Sequence, residues 1–264
     1  MAGLAPPVPQ PGALDVEASS PGTPSPPLVA PRPKLGHGRA RRLWDHRAST
    51  WDHAGAAGLA AVVQAVLAKS EARPGLKVVD LGSGTGSLSL PLARSGAWVV
   101  AVDLSPAMLA LLRHKAEAHG LGRVHTVAAP LERFELPASS VDLVVSNYAL
   151  HHLKDAEKEA LVRRAAQWLK PGGRLVVGDM MFGRGASARD RSIIASKVAV
   201  LAARGPGGWW RLAKNLLRFS LRLHERPVST ATWERYFRSA GLTDVSVTPV
   251  VAEAAVAFGV KPLA

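Results

Sequence analysis

The sequence predicts an α/β protein in which a seven-stranded, mostly parallel sheet carries helices on both faces and closes with an antiparallel C-terminal hairpin. Three observations support this prediction. Short β-branched runs alternate with helix-length segments, as in parallel sheets whose strands are joined by crossover helices. The first run leads into a glycine-rich turn at residues 82–86. The last two strand-like runs, 245–250 and 254–260, follow one another with only a short connection.

The elements follow in order along the chain. Buried parallel strands are expected where an apolar, β-branched run has strand length, at residues 77–81, 98–103, 124–128, 141–147 and 174–180. Helices are expected where apolar residues recur at helical spacing, at residues 56–68, 87–95, 106–119, 155–169 and 230–240. Ser105 and Pro106 fit the N-cap and first turn of the third helix, and Ser229 or Thr230 begins the last. The alternation predicts a ligand site at the carboxyl ends of the strands, where the topology reverses.

The glycine-rich turn, Asp80-Leu81-Gly82-Ser83-Gly84-Thr85-Gly86, joins a strand to a helix. Glycines at alternate positions let the backbone adopt positive φ and let a ligand approach the start of a helix. The next strand ends at Asp103, whose carboxylate can accept from both hydroxyls of a ribose. The dinucleotide fingerprint G-x-G-x-x-G is not met, because its third position falls on Ser87. The turn therefore indicates a nucleotide-type cofactor and disfavours a dinucleotide.

This pattern resembles the class I S-adenosylmethionine-dependent methyltransferases, which have a Rossmann-like fold. The resemblance implies that the last two strand-like runs form the antiparallel hairpin with which that fold closes. Their first motif is an acidic residue two before a G-x-G-x-G turn, and their second is an acidic residue at the end of the next strand. Three further segments resemble later parts of the family: residues 136–147, 149–153 and 169–177. The resemblance implies S-adenosylmethionine as the cofactor and implies that the following residues bind it: Asp80, Gly82, Ser83, Gly84, Gly86, Asp103, Leu104, Leu131 and Asn147.

One position departs from the family pattern. In many relatives an aspartate after the third strand accepts from the adenine amino group, and Pro130 stands at that place in this chain. Adenine recognition is therefore expected to depend on backbone groups near Leu131 and on neighbours such as Glu132.

The resemblance implies in-line methyl transfer to a small or lipophilic metabolite. The pattern is similar to the broad group that includes ubiquinone and menaquinone C-methyltransferases and small-molecule O- and N-methyltransferases, and nothing selects carbon, oxygen or nitrogen as the acceptor. A base is needed only when the acceptor is a hydroxyl, an amine or a carbon acid, and the candidates are Tyr148, His151 and His152. The two histidines are neighbours and cannot both point inwards, and a His-His-Leu segment is frequent among relatives with different substrates, which favours a structural role.

The domain prediction divides the chain at residue 36. Residues 1–36 hold half of the 20 prolines and few large apolar residues, which predicts a disordered arm. The methyltransferase domain is expected over 37–264. Its parts are an N-terminal helical lid, the cofactor-binding core, a basic helical insertion, and a C-terminal helix with the hairpin: residues 37–74, 75–181, 183–226 and 227–264. Trp51-Asp52 occupies the place of an aromatic-acidic pair that the family has in its lid.

The insertion after the fifth strand is strongly basic. Residues 183–226 contain ten Lys or Arg against two acids, in a chain whose net charge is +13. Within it, residues 209–223 form a basic amphipathic helical pattern. Three interpretations stay open: the helix packs its apolar stripe on the core, it forms a lid over the substrate pocket, or it lies on an anionic membrane surface. Charge alone also admits nucleic acid, but the absence of interleaved aromatics and of an Asn-Pro-Pro-Tyr motif disfavours it.

Composition narrows the remaining classes of site and of protein. The chain has no cysteine, which excludes disulfides and thiol catalysis, and the adjacent histidines lack a third ligand for a metal. The longest apolar run is too short for a bilayer and no signal peptide is evident, so a cytoplasmic protein is expected. The oligomeric state is left open. The alternative function is a catalytically silent protein of the same fold that serves as a membrane-surface or partner-binding module.

Overall fold

The computed structural model describes residues 37–51, 57–183, 191, 192, 195 and 226–263. The predicted disordered arm, residues 1–36, and the predicted basic helix, residues 209–223, lie outside this part of the chain. Asp52, the acidic residue of the predicted aromatic-acidic pair, also lies outside the described residues. Among the residues that are described, no helix is both long and apolar enough to cross a membrane.

The strands form one seven-stranded sheet, in the order β3-β2-β1-β4-β5-β7-β6. They are β1 (Lys77–Leu81), β2 (Trp98–Asp103), β3 (Val124–Ala128), β4 (Val141–Asn147), β5 (Leu169–Met180), β6 (Thr243–Pro249) and β7 (Ala254–Val260). Strands β1 to β5 pair in parallel, and β7 lies antiparallel between β5 and β6. The predicted fold class is therefore confirmed, and the topology reverses between β1 and β4.

Helices cover both faces of the sheet. They are α1 (His37–Trp51), α2 (Ala57–Ser70), α3 (Ser89–Arg94), α4 (Pro106–Ala118), α5 (Asp155–Trp168) and α6 (Thr230–Ser239). Side chains alternate along each strand, so the sheet has two apolar cores. One packs β-strand residues such as Val78 and Val99 against α2, α3 and α4, and the other packs Val79 and Leu81 against α5 and α6. The central strands are thus buried on both sides, which explains their continuous β-branched runs.

Local signals fix where two helices begin. The Ser105 hydroxyl accepts from the backbone N–H of Met108 at 3.1 Å, with Pro106 in the first turn of α4. The Ser229 hydroxyl accepts from the N–H of Thr232 at 3.2 Å and begins α6, so Ser229 rather than Thr230 is the N-cap. Each of these bonds satisfies a backbone donor that the helix leaves without a partner. Both helix starts are therefore encoded locally.

Strand β5 begins five residues earlier than the sequence pattern predicts. Leu169 already pairs with Val141, and the register between β4 and β5 shifts before Arg174 pairs with Leu143. The irregular stretch contains Gly173, where an added Cβ would lie 2.8 Å from the Lys170 carbonyl oxygen and 3.0 Å from that of Asp142. A bulge of this kind interrupts the apolar pattern, and for that reason the periodicity shows only the second half of the strand.

Candidate cofactor and active site

The carboxyl ends of β1, β2 and β4 border a cavity of about 500 Å³. It lies where the strand order reverses, which is the usual place for a ligand in an open α/β sheet. Seven of the residues predicted to bind the cofactor line it: Gly82, Ser83, Gly84, Asp103, Leu104, Leu131 and Asn147. Its volume falls within the range typical of small-molecule sites.

The glycine-rich loop between β1 and α3 depends on left-handed backbone at each of its three glycines. Gly82, Gly84 and Gly86 have φ of +76°, +52° and +99°. An added Cβ at Gly82 would lie 2.2 Å from the Cβ of Ala149, and one at Gly86 would lie 2.3 Å from Leu112 Cδ1. At both positions a side chain is therefore disfavoured for two reasons, the left-handed backbone and the overlap with a neighbouring atom. Gly86 packs towards α4 and does not line the cavity.

Asp103 joins this loop to the end of β2. Its Oδ2 accepts from the Gly84 N–H at 2.9 Å, and its Oδ1 accepts from the Ser105 N–H at 2.8 Å. Burial raises the pKa of Asp103, although the hydrogen bonds from Ser105 and Gly84 oppose that shift. Each carboxylate oxygen has room for a further hydrogen bond beyond these backbone donors. Asp103 lines the cavity and can accept from ribose hydroxyls there, as the sequence predicts.

Asp80 lies behind the loop. Its side chain is buried, and its Oδ2 accepts from the Ser89 hydroxyl at 2.6 Å. Burial raises the pKa of Asp80 to about 7, with a smaller contribution from the negative charge of Asp103. Asp80 does not line the cavity, so any effect on a cofactor would act through the loop and α3.

The ionisation of Asp80 makes protein stability depend on pH. Its pKa in the folded protein is about 7 against an ordinary value of 3.8, so between these values the folded state holds a proton that the unfolded chain releases. The free energy of unfolding therefore falls as the pH rises from about 4 through about 7. Asp80→Asn removes this loss. We therefore expect the unfolding free energy of the variant to gain up to about 4 kcal/mol relative to that of the wild type over that pH range.

Urea unfolding of the two proteins at about pH 4.5, 6 and 8, followed by tryptophan fluorescence, measures this gain. The difference in unfolding free energy between variant and wild type should grow with pH. A difference that stays constant over the whole range would show that Asp80 is already ionised at the lowest pH.

Two buried polar atoms on the cavity wall have no hydrogen-bond partner among the described residues, the Ser83 hydroxyl and the Asn147 side-chain carbonyl oxygen. Buried polar groups in folded proteins are nearly always paired, so such a pair marks a place where a ligand bonds. The Asn147 oxygen suits an ammonium group and the Ser83 hydroxyl suits a carboxylate. Together with the ribose-type acceptor Asp103, these atoms fit the amino-acid and nucleoside ends of S-adenosylmethionine.

The segment after β3 contributes Pro130, Leu131 and Glu132 to the cavity wall. Leu131 begins a short 3₁₀ turn that ends at Arg133, and its carbonyl oxygen accepts from Arg164 at 3.0 Å. The Glu132 carboxylate contacts the His37 ring at the start of α1. The residues expected to replace the family's adenine-binding aspartate are therefore at the cavity. Their contact with adenine stays a prediction.

The candidate bases occupy different places. Tyr148 and His152 line the cavity, whereas His151 is buried beside it, with its Nδ1 2.6 Å from Asp179 Oδ1. Tyr148 has φ of +49°, and burial, reinforced by the negative charges of Glu253 and Asp179, raises its pKa to about 12. A tyrosine with such a pKa is protonated near neutral pH and can donate a hydrogen bond. Of the three, His152 is therefore placed best to accept a proton at the cavity.

Helices α1 and α2 complete the cavity with residues that the motifs did not identify. Trp44 of α1 packs edge-on against His152, with ring centroids 5.0 Å apart, and Asp45 accepts from the Ser105 hydroxyl at 2.6 Å. The other wall residues missed by the sequence prediction are Leu59, Ala60, Val63, Gln64, Thr85, Ser87, Met108, Ala149 and Leu153. The apolar residues of α2 spread over more of the helix surface than packing against one core requires. The helical pattern of α2 could therefore have indicated some of these wall residues.

Metal ligation finds no support in the residues that can be described: no group of three or more His, Cys, Asp or Glu side chains among them is arranged around a common point. The adjacent rings of His151 and His152 have centroids 4.0 Å apart. His151 directs Nδ1 to Asp179 rather than to a shared ligand position with His152.

The geometry agrees with comparisons to known proteins. Residues 78–173 match a family model described as a methyltransferase domain, which spans the loop, Asp103 and the turn that carries the histidines. An uncharacterized methyltransferase of Geobacillus kaustophilus is 32% identical over 133 residues, 50% of this chain and 57% of that protein. Residues 78–173 form a methyltransferase domain of the class I S-adenosylmethionine-dependent type. The predicted family is thus confirmed, and so is S-adenosylmethionine as the cofactor that goes with it.

Two further comparisons, one with a curated protein and one with a solved structure, support the same family. A ubiquinone/menaquinone biosynthesis C-methyltransferase of Vibrio campbellii is 37% identical over 112 residues, 41% of this chain and 42% of that protein. The crystal structure of the S-adenosylmethionine-dependent methyltransferase SibL in its apo form superposes with a TM-score of 0.52 at 26% identity, over 71% of this chain and 51% of that one. The chain therefore spans about half the length of the curated relatives it matches.

Proposed function

We propose that this chain transfers a methyl group from S-adenosylmethionine to a small or lipophilic metabolite by in-line displacement. The observation that supports this most is a single cavity with two kinds of wall. One wall has the loop, Asp103 and the unpaired polar atoms of Ser83 and Asn147. The other is formed mainly by apolar and aromatic side chains: Trp44, Leu59, Ala60, Val63 and Leu153. A cofactor on the first wall and an apolar acceptor on the second would meet in the same space.

The chain's residues mainly bind, orient and exclude water in this proposal. S-adenosylmethionine, when bound, supplies a methyl group that its sulfonium centre already activates. Asp103 accepts from the ribose hydroxyls, and Ser83 and Asn147 hold the amino-acid end. The apolar wall keeps water from competing with the acceptor. Holding two reactants in line in this way can supply roughly 7–11 kcal/mol of the barrier, so no further catalytic group is required for an acceptor that is already nucleophilic.

A proton must leave when the acceptor is a hydroxyl, an amine or a carbon acid. His152 lines the cavity and can accept that proton, while its ring is held by the edge of Trp44. Tyr148, whose pKa of about 12 keeps it protonated, is suited to donate a hydrogen bond to a polar group of the acceptor. In this assignment His152 is the base, Tyr148 orients the acceptor, and His151 stays in a structural role.

The relatives suggest where a substrate search should begin. The Vibrio campbellii relative is a C-methyltransferase of quinone biosynthesis, and quinone precursors combine an aromatic ring with an apolar tail. An acceptor of that kind suits the apolar wall of the cavity. The shared region covers less than half of that relative, so the quinone assignment belongs to the proposal.

The test is methyl transfer from radiolabelled S-adenosylmethionine by the full chain. Candidate acceptors are demethylated quinone precursors, other lipophilic phenols and amines, bulk RNA and a protein extract, each separated by solvent extraction or acid precipitation. The proposal expects label in the organic phase with at least one lipophilic acceptor, and expects His152→Gln to lower the rate at least about tenfold for a hydroxyl or carbon acceptor. Label found only in precipitated RNA or protein would overturn the substrate class.

The alternative, a silent module of the same fold, rests on Pro130 and on the basic segment at residues 183–226. It expects no methyl transfer to any acceptor and expects function to depend on the charges in that segment: Arg211, Lys214, Arg218 and Arg222. Replacing these four by Glu would then abolish binding to anionic vesicles or partners, and Asp103→Ala would leave that binding intact. The methyltransferase proposal expects the opposite sensitivity, with transfer lost on Asp103→Ala.

A further inference from the structure

We propose that Asp179 is a positioning residue, which fixes the turn Leu150–His152 so that Tyr148 and His152 face the cavity. The inference rests on the proposed function for its consequence in catalysis, and on the geometry of the turn for everything else. Asp179 stands near the end of β5, does not line the cavity and belongs to no sequence motif described above. Its side chain is fully buried.

The Asp179 carboxylate holds His151 at two points. Oδ2 accepts from the backbone N–H of His151 at 2.9 Å, and Oδ1 lies 2.6 Å from the ring Nδ1. Since a carboxylate oxygen accepts, the ring carries its proton on Nδ1. Oδ1 also accepts from the backbone N–H of Met180 at 2.7 Å, which orients the carboxylate on its own strand. One buried group thus fixes both the main chain and the side chain of the same residue.

The turn held in this way contacts the glycine-rich loop, α1 and Arg226. Ala149, at its start, packs against Gly82 of the loop, where an added Cβ would lie 2.2 Å from the Ala149 Cβ. His152, at its end, meets Trp44 of α1. The His151 carbonyl oxygen accepts at 2.7 Å from the N–H of Arg226, where the chain returns after the basic segment. A small rotation of the turn would therefore move the candidate base, His152, relative to the glycine-rich loop.

The backbone conformation of Tyr148 also has to be held in place by neighbouring residues. Its backbone is in the left-handed region, with φ of +49°, which is uncommon for a bulky residue and is kept only where the surroundings enforce it. Its N–H donates to the Gly178 carbonyl oxygen at 2.8 Å, one residue before Asp179. The end of β5 therefore fixes both sides of the turn, Tyr148 through Gly178 and His151 through Asp179.

The test compares three substitutions in the full chain. Asp179→Asn keeps the shape but presents an N–H₂ group either to the His151 N–H or to the two donors at Oδ1, the His151 ring and the Met180 N–H. His151→Leu removes the ring donor, and His151→Asn keeps a donor near the position of Nδ1. Histidine ring ¹⁵N spectra are recorded without cofactor, with the His152 signals identified by their loss in His152→Gln. This readout needs no substrate and no bound ligand.

We expect one set of His152 ring signals in the wild type and in His151→Asn, and split or broadened signals in Asp179→Asn and His151→Leu. Unchanged His152 signals in Asp179→Asn, accompanied only by a lower unfolding midpoint, would overturn the proposal, because a purely structural role predicts that result. If Asp179→Asn does not fold, the comparison between His151→Leu and His151→Asn decides the question in the same way.

The consequence for the reaction is measured separately. In Asp179→Asn the dissociation constant for S-adenosylhomocysteine should stay within about threefold of the wild type while kcat falls at least about tenfold, and His151→Asn should retain most of kcat. A fall in kcat that only matches the lost fraction of cofactor-binding sites would contradict a positioning role. Failure of the wild type to bind S-adenosylhomocysteine would overturn the proposed function, whereas the His152 spectra would still decide the role of Asp179.

Discussion

Gly82→Ala is expected to abolish S-adenosylhomocysteine binding, with at least about a hundredfold loss of affinity. Gly82 has φ of +76°, and its added methyl group would lie 2.2 Å from the Cβ of Ala149. The left-handed backbone costs a side chain roughly 1–2 kcal/mol, and forcing an extra carbon into a packed contact costs roughly 1–3 kcal/mol more. The loop relieves this overlap by moving away from the turn, which displaces the backbone that borders the cavity.

Gly120→Ala is the matched control for this substitution. Gly120 has φ of +65° at the end of α4, and an added Cβ there meets no atom within 4 Å. The control therefore carries the backbone strain without the overlap, and its affinity for S-adenosylhomocysteine should equal that of the wild type. Titration calorimetry and thermal unfolding of both variants separate the two effects. Equal loss of binding in the two variants would assign the effect to strain alone and would contradict the role of the contact between Gly82 and Ala149.

Asp103→Asn is expected to weaken S-adenosylhomocysteine binding by about tenfold to a hundredfold. The carboxylate accepts from Gly84 N–H through one oxygen and from Ser105 N–H through the other, and the remaining lone pairs are available to ribose hydroxyls. An asparagine presents N–H₂ at one of these positions, so it must lose a backbone donor and one ribose contact. A hydrogen bond to a charged group contributes roughly 1.5–3 kcal/mol, so the loss of the one ribose contact corresponds to the expected loss of affinity.

Asp244→Asn controls for the loss of one negative charge. Asp244 is exposed in β6, at the far edge of the sheet from β2, and its φ of +51° is one that asparagine also adopts readily. This variant should bind S-adenosylhomocysteine as the wild type does, at both low and moderate salt. If Asp103→Asn kept wild-type affinity, or if Asp244→Asn lost as much, the ribose contact would not be the source of binding energy at this site.

The parts of the fold that the sequence predicts well are those encoded by local pattern. Strands β1 to β4 begin and end at the predicted residues because each apolar, β-branched run has strand length and is bounded by turns. Ser105 and Ser229 mark helix starts through their own hydrogen bonds to the backbone three residues ahead. The glycine-rich loop was recognisable because its backbone conformation requires glycine at three positions with a fixed spacing in the sequence.

The site contains features that no local pattern encodes. The bonds between Asp179 and His151 join residues 28 positions apart, and neither residue stands in a periodic run that would reveal the pair. The contact of Trp44 with His152 depends on how α1 crosses α4, which the composition of α1 does not determine. The motif alone predicts that Asp80 contacts the cofactor. In the structure Asp80 is buried behind the loop, and this burial raises its pKa. Each of these features is set by tertiary packing.

The most direct test of a methyltransferase cofactor site is titration calorimetry of the full wild-type chain with S-adenosylhomocysteine, with NAD titrated in parallel. The geometry of the loop, Asp103, Ser83 and Asn147 predicts one site per chain with a dissociation constant of order 1 μM, about −8 kcal/mol, and no heat from NAD. Binding of NAD, or no binding of S-adenosylhomocysteine at concentrations far above that value, would contradict the assignment of this cavity to S-adenosylmethionine.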